Sequence, residues 1–506
     1  MLRERRISLL VVCLLAILAA VHLSRLNKGH NWGDDFSAYI MQAEGIATDT
    51  TAEAYAKLSF QFSHSTLRVG PVVYPWGFPL LLAPVYSLFG LNVIAFKCLV
   101  LAFLLGSLAV TFHLYRLGLT TLQSALVVSI LGLSPALLAA GTQILSDPPF
   151  LFFCMSAMLL IQRGVLRRQP IGAPWLNSVL LGTAIFMAYF TRSIGFVLLP
   201  TLFAAQLHSA IADRHERLAK QGSFGPKFWF DHALPYVLFF LGVIFSRVAL
   251  PTGPLELAYI SLDPSHLIAS VFRGIPYYFE AGQGFFQGAP TAISLVAAIL
   301  AVIGACVRFR QDWIYLVFSA LYIGVLLIWP YYQGIVRFIL PLLPFYIYFA
   351  FKGASSLSSL TTFHTPGSRS FQLPLDYGLA LAAIMYFVYL LPPFRWSDFA
   401  QDPRGGPFGP EAQGAYRYIR LNLPRDAVVQ SRKPRVLMLL TDRRGVVYAK
   451  TKDLDQGVAT HYLVHLAKGK PLRSVDRTVV ENPQRFPEIY SNSAFRLYQI
   501  GRNYAQ

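Results

Sequence analysis

The chain has 506 residues, of which 55% are hydrophobic and only 13% are charged, and its mean hydropathy is +0.49. A soluble globular chain carries roughly 25% charged residues, so this composition excludes an ordinary soluble domain and indicates a polytopic membrane protein. The apolar runs have helical length and lack the alternating pattern of an outer-membrane barrel, so we expect a helix bundle. The net charge of +18 indicates basic loops on the cytoplasmic side rather than nucleic-acid binding.

A short basic segment, residues 1–6, precedes an apolar run from residue 7 to residue 23. Arg25 and Lys28 follow without a clean small-x-small cleavage site, which favours a retained signal-anchor with a cytoplasmic N-terminus. Residues 25–74 then form a long polar loop on the outer side of the membrane.

The apolar stretch 75–90 contains three prolines and falls short of the roughly 20 residues that a membrane span needs. We expect a re-entrant or interfacial helix that returns to the outer side. If residues 75–90 crossed the membrane, every later loop would lie on the opposite side. If they return to the outer side, the basic loops 163–168, 214–227 and 308–310 lie on the cytoplasmic side, as the positive-inside rule requires.

The remaining apolar runs predict about eleven transmembrane helices within a domain of residues 1–392. The predicted spans are 7–24, 93–115, 121–142, 148–162, 174–190, 194–212, 232–250, 291–307, 313–329, 338–352 and 375–392.

The composition changes after Arg395, and residues 405–410 are typical of a linker. An amphipathic pattern predicts a helix at 411–422, and β-rich runs predict short strands. We therefore expect residues 393–506 to form a small α/β domain on the outer side. Its predicted strands are 427–429, 445–448, 460–464 and 494–498.

Two adjacent carboxylates, Asp34 and Asp35, follow the first span. At this position a charged side chain costs free energy unless it is solvated, paired with an opposite charge or functional. In the functional interpretation, one of them deprotonates an acceptor hydroxyl or amine. In the alternative interpretation they are a solvated loop pair, or Asp35 caps a helix over residues 36–47. That helix places Tyr39 one turn after Asp35 on the same face.

Asp147 precedes two prolines at the outer end of a predicted span. An aspartate before proline is a good start signal for a helix, so Asp147 can act as an N-cap. It is also a candidate catalytic residue, because it would face the same side of the membrane as Asp34 and Asp35.

Arg192 and Arg337 lie on the outer side at the ends of apolar helices, against the positive-inside trend. A lipid phosphate at this depth needs a planar cationic donor, so both are candidate phosphate-binding residues. Snorkelling to lipid head groups is the alternative. Arg273 is a weaker candidate.

Further candidate substrate-binding residues are Tyr39, His64, Tyr74 and Trp76 in the first outer loop, and Tyr332 shortly before Arg337. Trp76 can stack on a sugar or belong to an interfacial aromatic belt, and a lone histidine is more often a structural hydrogen-bonding residue. Carboxylates with His64 could hold a divalent cation, but no spacing requires one. The sequence lacks the motifs of zinc proteases, P-loop NTPases and serine hydrolases.

The order of these features resembles the GT-C membrane glycosyltransferases, which include the protein O-mannosyltransferases and the bacterial aminoarabinose transferase of lipid A. The resemblance rests on an outer loop with an Asp followed by Tyr one turn later, a YPxGxPLLLAP-type segment from Tyr74, the SDPP turn at 146–149, the Arg192 turn and the RFxLPxLP run from Arg337. Residues 433–443 of the C-terminal domain are also similar.

The resemblance implies a polyprenyl-phosphate-linked monosaccharide donor and a transfer that inverts the anomeric centre. The catalytic Asp of the family falls on Asp34 or Asp35, and the spacing to Tyr39 favours Asp35. The second acidic residue of the family falls on Asp147.

The phosphate-side cation of the family falls on Arg337, with Arg192 as second choice. The sequence departs from the family in having an Asp-Asp pair where Asp-Glu is common, and Trp76 where a second proline is common. These departures leave the identity of the catalytic carboxylate open.

We therefore predict a membrane glycosyltransferase that moves a hexosyl or pentosyl group to a lipid, glycan or protein outside the cytoplasm, in a bacterial inner membrane. The competing prediction is a transporter or flippase for a lipid-linked glycan. A transporter places charges near the bilayer midplane, often in pseudo-symmetric halves. The sequence shows no internal repeat and few mid-span charges; Lys97 is the main exception, and it lies near the end of a predicted span.

Overall fold

The structure is a computed structural model. It describes residues 2–67, 70–219, 226–253, 263–286, 291–329, 335–361, 375–391, 406–466 and 472–500. These residues form a helical bundle and, at the C-terminal end of the chain, a small α/β domain.

The first outer loop is largely helical. The second helix of this loop, residues Thr51–His64, was not predicted. It buries Ala54, Leu58 and Gln61, which follow one another at helical spacing on a single face. The fourth helix of the chain has 13 residues and is shorter than a span, in keeping with the prediction for 75–90. The helices are α1 (Leu2–Leu23), α2 (Asp35–Ala47), α3 (Thr51–His64) and α4 (Gly77–Phe89).

The next part of the bundle contains a sharp bend. Helices α6 (Thr121–Leu133) and α7 (Pro135–Gly141) meet at 62°. Pro135 cannot continue the hydrogen-bond ladder of α6, and the Ser134 hydroxyl caps α7 through the Leu137 amide. The helices are α5 (Val93–Tyr115), α6 (Thr121–Leu133), α7 (Pro135–Gly141), α8 (Asp147–Leu160), α9 (Pro174–Thr191), α10 (Leu198–Ala219) and α11 (Pro226–Ala249).

The last helices of the bundle include one of 38 residues, which covers the two predicted spans 291–307 and 313–329 and bends at the non-helical residue Asp312. The predicted span 338–352 starts late, because a 3₁₀ turn at Leu340–Leu342 interrupts it at Pro341. The helices are α12 (Pro264–Gln283), α13 (Thr291–Ile328), α14 (Ile335–Phe338), α15 (Leu343–Thr361) and α16 (Leu375–Leu390).

Within the described residues, six helices are long and apolar enough to cross a membrane, or seven if the bent pair α6–α7 counts as one span. The α4 and α16 helices are apolar but shorter. The exact number of spans therefore stays a prediction.

The C-terminal domain has a mixed five-stranded sheet in the order β2-β1-β3-β5-β4, parallel across β2-β1-β3 and antiparallel across β3-β5-β4. Each predicted strand overlaps an observed one. The β4 strand was not predicted, since its side chains are exposed or half-buried and give no alternating pattern. The elements are α17 (Pro410–Asn422), β1 (Val428–Gln430), α18 (Pro434–Thr441), β2 (Arg444–Val446), α19 (Lys452–Gln456), β3 (His461–His465), α20 (Ser474–Glu481), β4 (Glu488–Ser491) and β5 (Phe495–Gln499).

The C-terminal domain packs on the first outer loop. One apolar cluster joins Phe36 and Ile40 of α2 to Tyr416 and Leu437 of the domain. The Val447 carbonyl accepts hydrogen bonds from the backbone amides of residues 66 and 67, at 3.1 and 3.3 Å. These contacts place α18 against the start of α2, where Asp34 and Asp35 lie.

Candidate active site

Four of the predicted site residues form one ion-pair cluster. Arg337 bridges two carboxylates: its Nη1 donates to Asp35 Oδ2 at 2.6 Å, and its Nε lies 3.3 Å from Asp147 Oδ2. Arg192 donates to the other oxygen of Asp147. The fold thus brings together residues from α2, α8, α14 and the end of α9, in agreement with their predicted location on one side of the membrane.

Neither aspartate forms the capping hydrogen bond of the alternative interpretation. Asp147 is the first residue of α8, and Asp35 is the first residue of α2. Both side chains turn instead to guanidinium groups, because an arginine offers a full positive charge and several N–H donors, whereas a backbone amide offers one donor and no net charge. The predicted capping role is therefore wrong for both residues.

A tight turn between α9 and the 3₁₀ turn at Ser193–Val197 orients Arg192 toward the ion-pair cluster. Its guanidinium carbon lies 5.0 Å from the ring centroid of Phe338 and 5.8 Å from that of Phe150. The backbone of Gly77 approaches this turn closely: a Cβ there would meet the Phe190 carbonyl carbon at 2.4 Å and the Thr191 amide nitrogen at 2.7 Å.

We expect Gly77→Ala to destabilise the protein by roughly 1–3 kcal/mol, the usual cost of overpacking, because backbone atoms of α9 must move. The measurement is the thermal midpoint of the purified protein in detergent. Gly324→Ala is the matched control, since a Cβ at Gly324 meets no described atom within 4 Å. Equal midpoints for the two variants would contradict the close approach.

The two adjacent aspartates have different surroundings. The Asp35 side chain is 24% exposed, while that of Asp34 is only 2% exposed. Burial alone would raise the pKa of Asp35, but the Arg337 charge and the Tyr74 hydroxyl, which donates to Oδ1 at 2.5 Å, hold it below the usual value. Burial raises the pKa of Asp34, and Arg435, with Nε 3.9 Å from Oδ2, opposes that rise only in part. Asp35 is thus the carboxylate that faces the open side of the cluster.

Tyr39 and Tyr74 line the same region. Their ring centroids are 4.6 Å apart, and the Tyr39 hydroxyl lies 3.1 Å from the hydroxyl of Ser146, the residue before Asp147. The prediction that Tyr39 shares a face with Asp35 agrees with this arrangement, in which Tyr39 links α2 to the start of α8.

The structure places other predicted residues away from the charged cluster. His64 lies on the exposed surface of α3, where Nδ1 donates to the Phe60 carbonyl at 3.0 Å and the ring stacks on Phe60 at 4.1 Å. Trp76 is buried, and its indole nitrogen donates to the Pro251 carbonyl at 2.8 Å. Arg273 is exposed, and its Nε donates to a carbonyl of its own helix. Tyr332 lies outside the described residues.

Two supporting residues were not assigned from the sequence. Lys97 is buried at the start of α5 and donates to Asn27 and to the Gly29 carbonyl, at distances between 2.6 and 3.0 Å. The His30 Nε2 accepts the Ile144 amide at 3.0 Å, and its ring stacks on Phe36 at 4.0 Å. Both hold the backbone that leads into Asp34 and Asp35.

In the part of the chain that the structure describes, no three His, Cys, Asp or Glu side chains are grouped as metal ligands would be.

Comparison with known proteins places this arrangement in a structural class. Residues 50–245, less than half of the chain, match the model of the dolichyl-phosphate-mannose-protein mannosyltransferase family. ArnT from Cupriavidus metallidurans in the apo state is similar over 96% of this chain and 97% of its own, with 13% identity and a TM-score of 0.55. The chain has the GT-C glycosyltransferase fold.

Two further structures with this fold are similar. ArnT bound to undecaprenyl phosphate gives the same values, 13% identity and a TM-score of 0.55. The archaeal oligosaccharyltransferase AglB from Archaeoglobus fulgidus, in complex with an inhibitory peptide and a dolichol-phosphate, is similar over 90% of this chain and 69% of its own, with 11% identity and a TM-score of 0.52. No curated protein sequence matches the chain.

The family model and the charged cluster overlap only in part. The matched residues 50–245 include Tyr74, Asp147 and Arg192, whereas Asp35 and Arg337 lie on either side of them. The sequence match to the family therefore covers only part of the charged cluster, and it is the three-dimensional structure that brings the residues of the cluster together.

Proposed function

We propose that this protein is an inverting membrane glycosyltransferase that moves a monosaccharide from a polyprenyl-phosphate donor to an acceptor outside the cytoplasm, with Asp35 as general base. The observation that carries the proposal is the bridge that Arg337 makes between Asp35 and Asp147. It joins a partly exposed carboxylate to a cation suited to phosphate. The site and the C-terminal domain would face the outer side of a bacterial inner membrane.

Arg337 and Arg192 are suited to bind the phosphate of the donor. Their side chains are 26% and 15% exposed, so both remain accessible to a ligand while sharing the charge of Asp147. Within the described residues, neither Arg337 Nε nor Asp147 Oδ2 completes a hydrogen bond with good geometry, although the two atoms face each other. Arg337 Nη1, which pairs with Asp35, can turn to a phosphate oxygen while Nε still faces Asp147.

Asp35 is better suited than Asp34 to act as the base. Its carboxylate is accessible and adjoins the arginine that would bind the leaving phosphate, whereas Asp34 is buried beside Arg435 of the C-terminal domain. In the donor-free protein, Arg337 weakens Asp35 as a base by lowering its pKa. Phosphate binding would draw Arg337 away from Asp35, so the base would become stronger when the donor is present.

The reaction then proceeds as a single displacement. Asp35 takes the proton of an acceptor hydroxyl or amine, and the oxygen or nitrogen attacks the anomeric carbon from the face opposite the phosphate. The bond between that carbon and the phosphate oxygen breaks, and polyprenyl phosphate leaves with the electron pair. Arg337 and Arg192 stabilise the charge that develops on the leaving group, a contribution that is often the largest single one in catalysis.

The comparisons support the donor class. One similar structure is described as bound to undecaprenyl phosphate and another as in complex with a dolichol-phosphate. The description of the matching family names a dolichyl-phosphate-linked mannose. All three have a polyprenyl chain on a phosphate, which is the chemistry that an arginine pair near the membrane surface would select.

The test is incubation of the purified protein with polyprenyl-phosphate hexoses and pentoses, a polyprenyl-diphosphate sugar and a nucleotide sugar. The readout is release of the donor's leaving group, which is polyprenyl phosphate, polyprenyl diphosphate or a nucleotide according to the donor, with lipid, glycan and protein acceptors supplied in separate arms. We expect release from at least one monophosphate donor and none from the nucleotide sugar. Movement of an intact lipid-linked sugar across vesicles, with no donor cleaved in any arm, would overturn the proposal in favour of a transporter.

A further inference from the structure

One arginine of the C-terminal domain is wholly buried beside the candidate site. Arg435 is the second residue of α18, and its side chain is 0% exposed. Its Nε donates to Gln61 Oε1 at 3.2 Å, and its Nη2 donates to the Pro71 carbonyl. The same Nε lies 3.9 Å from Asp34 Oδ2. Burying a guanidinium costs free energy unless it is paired and hydrogen-bonded. The buried position of Arg435 therefore indicates a specific role for this residue.

Arg435 also packs on the tyrosine that orients Asp35. Its guanidinium carbon lies 5.4 Å from the centroid of the Tyr74 ring, within the range of a cation–π contact. The Tyr74 hydroxyl donates to Asp35 Oδ1 at 2.5 Å. The chain of contacts therefore runs from the C-terminal domain through Arg435 and Tyr74 to the proposed base.

The space around this chain of contacts is restricted. Gly70 has a φ of +69°, and a Cβ there would meet the Tyr74 hydroxyl at 2.7 Å and Arg435 Nη1 at 3.1 Å. Gln42 fixes the Tyr74 backbone on the other side, because its amide group pairs with both the Tyr74 N–H and C=O, at 3.1 and 2.9 Å. Tyr74 thus has little freedom to move while Arg435 is in place.

We propose that Arg435 is a positioning residue for sugar transfer, through which the C-terminal domain holds Tyr74 against Asp35 and balances the charge of Asp34. The proposal rests on the proposed function. It makes the C-terminal domain a part of the active site, although no residue of that domain touches the Arg337 bridge in the contacts described above. Because Arg435 acts through Tyr74, its loss should impair the chemical step more than donor binding.

The first test compares Arg435→Met with the wild-type protein. Methionine keeps much of the length and apolar contact of the side chain and removes the charge and the donors. We expect kcat to fall about 10- to 100-fold, as small misplacements of catalytic groups can cause, with little change in donor KM. The acid limb of the kcat/KM profile should move to higher pH, since Arg435 is one of the charges that lower the pKa of Asp35.

The matched control is Lys57→Ala. Lys57 also joins the first outer loop to the C-terminal domain, through Asp442 at 2.6 Å, but both side chains are largely exposed, at 47% and 72%. Exposed ion pairs contribute little, so this variant should keep wild-type kinetics. If both variants lose activity equally, the effect is one of domain docking and the positioning role is wrong.

A double-mutant cycle with Tyr74→Phe covers the case in which Arg435→Met folds poorly. Tyr74→Phe removes only the hydroxyl that orients Asp35, and Asp34→Asn added to Arg435→Met restores charge balance in the buried pair. If Arg435 acts through Tyr74, Tyr74→Phe should add little to the kcat loss of this Asp34→Asn/Arg435→Met protein. Full additivity would overturn the proposal. A wild-type protein that cleaves no donor would instead refute the proposed function.

Discussion

Asp35→Asn is expected to reduce sugar transfer by about 10²- to 10⁴-fold, the usual contribution of general acid–base catalysis, while donor binding is retained. The amide keeps the shape of the side chain and an acceptor for the Tyr74 hydroxyl but cannot take a proton from the acceptor. Single-turnover transfer and equilibrium donor binding, measured on the same preparation, separate the two effects.

Glu44→Gln is the matched control for Asp35→Asn. Glu44 lies on the same helix, and its Oε1 accepts the Tyr86 hydroxyl at 2.6 Å, a bond that glutamine can keep. This variant should transfer sugar at the wild-type rate. Asp34→Asn should retain far more activity than Asp35→Asn. The reverse order would assign the base to Asp34.

Arg337→Ala is expected to have the second large effect. Charge-assisted hydrogen bonds are worth roughly 1.5–3 kcal/mol, so donor affinity should fall about 10- to 100-fold. Loss of one stabilising donor should also slow transfer by about 10²- to 10³-fold. Arg337→Lys should recover part of the affinity but little of the rate, because a lysine cannot bridge two groups as the planar guanidinium does. Donor titration and single-turnover transfer report the two quantities.

Arg273→Ala controls for the general loss of an arginine in this part of the chain. Arg273 is exposed and bonds within its own helix, so its removal should change neither donor affinity nor rate. Unchanged binding and turnover in Arg337→Ala, or equal losses in both variants, would refute the assignment of Arg337.

The sequence predicted much of the candidate site because topology alone constrains it. Arg192 and Arg337 were unusual as arginines at the ends of apolar helices that the predicted topology places on the outer side, and Asp147 follows a predicted span that ends on that side. The prediction that residues 75–90 return to the outer side places these groups and Asp35 on the same side of the membrane. The structure shows the ion pairs that such an arrangement requires.

The local packing of the first outer loop could not be predicted in the same way. Trp76 and His64 are near Tyr74 in sequence, yet Trp76 is buried against Pro251 and His64 lies on the exposed surface of α3. Their directions depend on helix α3, whose apolar positions are too few to stand out in a polar loop. Local spacing therefore identified the right loop but not which side chains of the loop reach the charged cluster.

Long-range contacts of the C-terminal domain were also beyond sequence reasoning. Arg435 lies in a segment that resembles the family, but its position 364 residues after Pro71 and 374 after Gln61 gives no local signal of the contact. A basic residue after a proline at the start of a helix is ordinarily exposed. Only the docking of α18 against α2 reveals that this one is buried beside Asp34.

In the proposed mechanism one arginine contacts both the base and the phosphate, and the pH dependence of the wild-type protein tests this most directly. The profile of kcat/KM reports the free protein, in which Arg337 lowers the pKa of Asp35, and the profile of kcat reports the donor complex. We predict that the acid limb of kcat lies at higher pH than that of kcat/KM, because the donor phosphate takes Arg337 away from Asp35. Coincident acid limbs, or an acid limb that persists unchanged in Asp35→Asn, would contradict the account.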